Sequence, residues 1–137
     1  MITFNSETPF NLKASDKITF WIEDIISSEG YSVGEINYIF CDDAYLSQLN
    51  KKFLNHDTLT DIISFDYCVG KQVNGDIYIS IDRVSDNAET YDVSFDTELK
   101  RVMIHGILHY LGYKDKTFDE KQSMRAKEDL SLGKLKP

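Results

Sequence analysis

Residues 102–113 read Val102-Met103-Ile104-His105-Gly106-Ile107-Leu108-His109-Tyr110-Leu111-Gly112-Tyr113. Leu99, Val102, Met103, Ile107 and Leu108 recur at helical spacing, so the stretch is the end of an amphipathic helix that starts at Ser94 or Asp96. Within it His105 and His109 are four residues apart. At about 3.6 residues per turn both imidazoles share one face, one turn apart. A helical His pair is ordinarily a surface feature or a pair of satisfied core groups. Here the segment is apolar, and burying two imidazoles without partners costs free energy. Gly112 permits a sharp turn out of the helix. Asp115, six residues past His109, lies where the returning chain offers a third donor. Two imidazoles and one carboxylate leave a fourth zinc position for water, the open site of a catalytic zinc. Zinc lowers the pKa of such a water to about 7. The expected centre is one Zn2+ per chain on His105, His109 and Asp115, with a zinc-bound water.

The chain before this helix alternates strands and helices. Ile2 to Ser6 reads as a strand. Ser15 or Asp16 opens a helix whose apolar face is Ile18, Phe20, Trp21, Ile22, Ile25 and Ile26, and Gly30 stops it. Val33 to Cys41 alternates as a half-buried strand does. Asp42 caps a helix to about Phe53, with Ala44, Tyr45, Leu46, Leu49 and Phe53 inward, and Asn55 to Thr60 is a polar loop. Asp61 to Val69 and Asp76 to Ile81 read as a hairpin joined through a polar Gly70–Gly75 turn. A helix over Ile81 to Tyr91 precedes the histidine helix. Thr117 and Glu120 form a capping box for a last helix. The order implies a single α+β domain over residues 1–137, a small mixed sheet of about four strands packed with about five helices.

Composition narrows the function. A chain of 137 residues at 42% hydrophobic can bury a core without metal or disulfide staples. A metal here therefore serves chemistry rather than folding. The formal net charge of −8 disfavours coating of nucleic acid or membrane by charge alone. A bound dication can reverse the local field, so an RNA substrate stays open. Cys41 and Cys68 sit in apolar stretches without a CxxC pair and read as small buried hydrophobes. No signal-peptide pattern and no apolar run of about 20 residues occurs, so the expected compartment is the cytoplasm. Gly106 stands where the HExxH peptidases carry their glutamate base, which argues against ordinary zinc peptidase chemistry.

The stretch His105 to Tyr113 resembles the motif HGxLHLxGYDH of the bacterial YbeY family of metal-dependent, single-strand-specific endoribonucleases. Two further blocks agree in order. Leu49-Asn50 followed by Thr60-Asp61-Ile62-Ile63-Ser64-Phe65 resembles the family's LN and TDVLSF, and Gly75-Asp76-Ile77 with Ser80 resembles its GDI strand. Glu98 falls where the family helix carries an acidic residue. The resemblance spans roughly Leu46 to Asp115. It implies a zinc-dependent endoribonuclease of ribosomal RNA maturation, at the 16S rRNA 3′ end, and of ribosome quality control. Single-stranded RNA and the ribosomal subunit or its assembly factors are the implied partners.

Two departures stand out. The family's third zinc histidine falls at Asp115, a competent ligand whose charge makes a bound water less acidic. The family's arginine after LN is Leu54 here, so a fixed cation for the scissile phosphate is missing there. Lys51, Lys52, Lys114 and Lys116 are possible substitutes and otherwise solvated charges. His56 is a candidate general acid or base. Ser64 is a candidate hydroxyl from the strand loop. Tyr67, Tyr78, Tyr110 and Tyr113 are candidates for stacking single-stranded bases. The competing readings are a zinc hydrolase on a peptide or small amide, a non-catalytic zinc-containing ribosome-assembly factor, and a metal-free interaction module.

Overall fold

Alternation in two strands organises the molecule. β2 (Ser32–Cys41) turns Ile36, Tyr38 and Phe40 to one side, and β4 (Gln72–Ser80) turns Val73, Ile77 and Ile79 the same way. All six are buried, each worth about 1.5–3 kcal/mol of transfer free energy for a large side chain. In this computed structural model, which describes residues 1–54 and 59–135, the two strands pair in parallel. β1 (Ile2–Ser6) pairs in parallel with the other edge of β2, and β3 (Ile62–Asp66) pairs antiparallel with β4. The sheet order is β1-β2-β4-β3.

Parallel neighbours need crossover connections. α1 (Ser15–Ser28) supplies the first, and α2 (Asp43–Leu54) lies between β2 and β3. α3 (Ile81–Tyr91), α4 (Phe95–Tyr110) and α5 (Phe118–Gly133) follow the sheet. α1 and α4 bury their apolar stripes on the face that carries Tyr38 and Ile77. The Tyr38 hydroxyl donates to the Met103 carbonyl at 2.9 Å and pins α4 to the centre of the sheet. The Trp21 indole donates to the Ser131 carbonyl at 2.7 Å and ties α1 to α5. The opposite face carries a smaller cluster of Cys41, Leu46 and Ile63 under α2. This is the expected single α+β domain. No described helix is long and apolar enough to cross a membrane.

Several local expectations need correction. β3 ends at Asp66, three residues short of Val69, because the Asp66 carboxylate accepts the Cys68 N–H and turns the chain. β4 starts at Gln72 rather than Asp76, since Val73 and Gly75 continue its inward alternation. The turn is only Gly70-Lys71, closed by reciprocal bonds between Val69 and Gln72. Ser15 opens α1 as expected, with Ala14 before it in the left-handed conformation. Phe20, Ala44, Tyr45 and Phe53 were expected inward and are exposed. Leu46 and Asn50 are the buried residues of α2, while Tyr45 and Phe53 lie against Tyr78 and Phe65 with one side in solvent. Asp42, Ser94 and the Thr117–Glu120 box cap their helices as expected.

Candidate metal centre

α4 carries both histidines, and its end brings in the carboxylate. Leu111 closes the helix, and Gly112 at φ +100° takes a conformation that side chains disfavour. The Tyr113 N–H returns to the Leu108 carbonyl at 3.0 Å, and the chain reverses toward α5. Asp115 thereby comes back over the last turn. His105 Nε2 and His109 Nε2 are 3.1 Å apart. Asp115 Oδ2 is 3.2 Å from His105 Nε2 and 3.3 Å from His109 Nε2. All three side chains are half-buried.

This triangle fits zinc. At zinc–ligand distances of about 2.0–2.1 Å, tetrahedral donors stand about 3.3–3.4 Å apart. The tautomer fits as well. His105 Nδ1 sits 2.6 Å from Glu128 Oε2 of α5, so a proton on Nδ1 leaves the Nε2 lone pair facing His109 and Asp115. A carboxylate behind a metal-binding imidazole orients the ring and raises its basicity. Three acceptor atoms facing one another repel unless a proton or cation lies between them, and one dication satisfies all three. His105, His109 and Asp115 are the only such group among the described residues.

The surrounding field is mixed. Burial pulls His105 down, yet the Glu128 carboxylate, with Asp115 and Asp61, outweighs it and raises its pKa. Burial raises Asp61, with partial relief from His105. Glu98 is buried and raised by the same cause, against the pull of Arg101. Arg101 bonds Glu128 at 3.1 Å and Asp129 at 2.9 Å. Asp61, Glu98, Arg101 and Glu128 line a cleft of about 320 Å³ onto which His105 and Asp115 open.

The other candidates separate. His56 lies outside the described residues. Ser64 stands beside the Tyr110 phenol, one residue past His109, with no bond to the three donors. The Tyr110 hydroxyl donates to the Phe65 carbonyl at 2.9 Å and is buried, so it does not stack bases. Tyr113 donates to Glu29 at 2.7 Å and is also engaged. Tyr67 is exposed, and Tyr78 is half-buried against Phe65 and Tyr45. Lys52 lies over the Phe53 ring, while Lys114 and Lys116 are exposed on the turn beside Asp115. Sequence reasoning missed Glu128. It lies on another helix, 23 residues from His105, in a stretch that reads as a solvated face.

Comparison with known proteins identifies the family and the fold. A family model described as endoribonuclease YbeY matches residues 2–136. The endoribonuclease YbeY of Flavobacterium johnsoniae is 58% identical over 94% of this chain and 93% of its own length. That of Flavobacterium psychrophilum is 56% identical over 96% and 94%. The solution structure of TM1509 from Thermotoga maritima matches with a TM-score of 0.71 at 28% identity, covering 98% of this chain and 89% of that one. Fold, motif and whole-length similarity coincide, and the chain belongs to the endoribonuclease YbeY family.

Proposed function

We propose that residues 1–137 form one metal-dependent hydrolase domain that cleaves single-stranded RNA, with zinc held by His105, His109 and Asp115. The observation that carries this reading is the convergence of three donor atoms within 3.3 Å, backed by Glu128 and open to a cleft. Zinc supplies Lewis acidity toward a phosphate oxygen and a water of lowered pKa. The chain's own part is to hold the donors and fix the tautomer of His105. The cleft beside them gives the substrate phosphate its place. His56 and Ser64 are proposed as proton-handling and hydroxyl groups of the reaction. Family membership supports ribosomal RNA as the substrate, its 16S 3′ end as the site, ribosome quality control as the setting and the cytoplasm as the compartment.

The test is elemental analysis of the purified protein beside Asp115→Ala and His109→Ala, followed by cleavage of a single-stranded RNA. About one zinc per chain is expected in the native protein, with sharp loss of metal and cleavage in both variants. Full zinc retention in His109→Ala would refute the ligand assignment. A second reading, a non-catalytic assembly factor with structural zinc, is favoured by Leu54 in the place of the family arginine. A metal-stripped protein that stays folded and loses only cleavage rejects it.

A further inference from the structure

The cleft beside the metal centre holds more than its donors. On the α5 wall, Lys121 and Arg125 are four residues apart, so both project from one side of the helix. Both line the same cleft as His105 and Asp115. Their charges are largely unspent. Among the described residues Lys121 has no ion pair, and the Arg125 side chain is 52% exposed, with Glu128 at 3.7 Å as its nearest carboxylate. Arg101, the third cation of the cleft, is committed to Glu128 and Asp129. Across the cleft Tyr91, at the end of α3, is 56% exposed and has no ring partner among the described residues.

We propose that Lys121 and Arg125 form a phosphate subsite for the RNA strand flanking the scissile bond, and that Tyr91 stacks a neighbouring base. This rests on the RNA-hydrolase reading and names the residues that seat its substrate. Charge complementarity supports it. The cleft sets the four carboxylates of Asp61, Glu98, Asp115 and Glu128 against the cations of Arg101, Lys121 and Arg125. A dication on the triad tips that balance toward an anion. In a molecule of net charge −8, a local cation pair favours docking of a polyanion there. Leu54 stands where the family carries an arginine, whereas α5 offers Lys121 and Arg125 on the cleft that His105 and Asp115 line. An exposed ring against a basic groove is the usual pairing for single-strand recognition.

The test is fluorescence anisotropy of a labelled single-stranded RNA, 2′-O-methylated against cleavage, on zinc-loaded protein across a salt series. The double variant K121Q/R125Q is expected to bind about tenfold more weakly. Its log–log salt slope should fall by about 1.4, two phosphates at roughly 0.7 each. Tyr91→Leu is expected to weaken binding about tenfold with the slope unchanged. The control is K13Q/K17Q near the start of α1, which alters net charge equally. A loss equal to that of the α5 pair would assign the effect to overall charge and overturn the subsite. Unchanged binding in K121Q/R125Q would overturn it while leaving the hydrolase reading intact. A native protein that binds no RNA even at low salt would remove both. All of these side chains are exposed, so equal zinc content and melting temperature are expected throughout.

Discussion

Glu128 is not one of the three converging donors, yet its carboxylate sets what His105 presents to a metal. Its Oε2 lies 2.6 Å from His105 Nδ1, and its Oε1 accepts from Arg101 at 3.1 Å. Glu128→Gln keeps an acceptor of the same shape and removes the charge. Zinc affinity, read by competition with a fluorescent chelator, is expected to fall about 10- to 100-fold. Arg101 retains Asp129 at 2.9 Å, so the helices stay paired. Unchanged affinity would mean that the carboxylate serves packing alone. A second residue-scale test concerns the thiols. Burial pushes Cys41 up to about 12, and Cys68 is also raised by burial with Asp66 adding. The thiolate is the reactive form. Ellman's reagent at pH 8 is expected to leave Cys41 untouched in native protein and to reach both cysteines in denaturant. Rapid native labelling of Cys41 would contradict its burial. At this scale the triad was legible because its spacings are local, four and six residues. Glu128 was not, because its partnership depends on how two helices dock.

At the scale of elements, two glycines decide how α4 meets the sheet. A Cβ at Gly75 would lie 2.3 Å from the Tyr110 hydroxyl and 2.6 Å from the Phe65 carbonyl. The second obstacle is backbone of the neighbouring strand and cannot yield. Gly75→Ala is therefore expected to destabilise by about 3 kcal/mol, at the upper end of overpacking. A Cβ at Gly106 meets the end methyls of Ile62 and Ile77 at 3.1 and 3.2 Å. Those ends can shift, and alanine gains about 0.5–1 kcal/mol of helix propensity. Gly106→Ala is expected within about 1 kcal/mol of the native protein. Urea unfolding of both variants checks the order, and a reversal would show that α4 sits otherwise on the sheet. The strands explain what the sequence concealed. Gly75 reads as a turn residue, but it lies inside β4 because the buried Tyr110 phenol fills the space of its missing side chain. Phe20, Tyr45 and Phe53 read as core, although the core on their side is already filled by isoleucines on α1 and by Leu46 on α2.

For the whole molecule, stability against pH reports how the turn bearing Asp115 is tied down. Glu29 at the end of α1 accepts from the Tyr113 hydroxyl at 2.7 Å and pairs with Lys127 of α5 at 3.1 Å. Three segments thus meet two residues from Asp115. The Tyr113 hydrogen bond first, and Lys127 after it, hold Glu29 below the usual carboxylate range of about 4.5, against a smaller opposing effect of burial. A carboxyl lowered on folding contributes stability above its unfolded pKa and loses it as pH falls through the folded value. The group is partly solvated, so the contribution is below about 1 kcal/mol. Glu29→Gln is accordingly expected to lower the stability of the metal-free protein slightly at pH 7. The gap between the two proteins should close as pH falls below about 4.5. Urea midpoints at pH 7, 5 and 3.5 measure it. A gap that persists undiminished at the lowest pH would show that Glu29 acts through shape and not through charge. A closing gap would show that the clamp on the Asp115 turn is electrostatic.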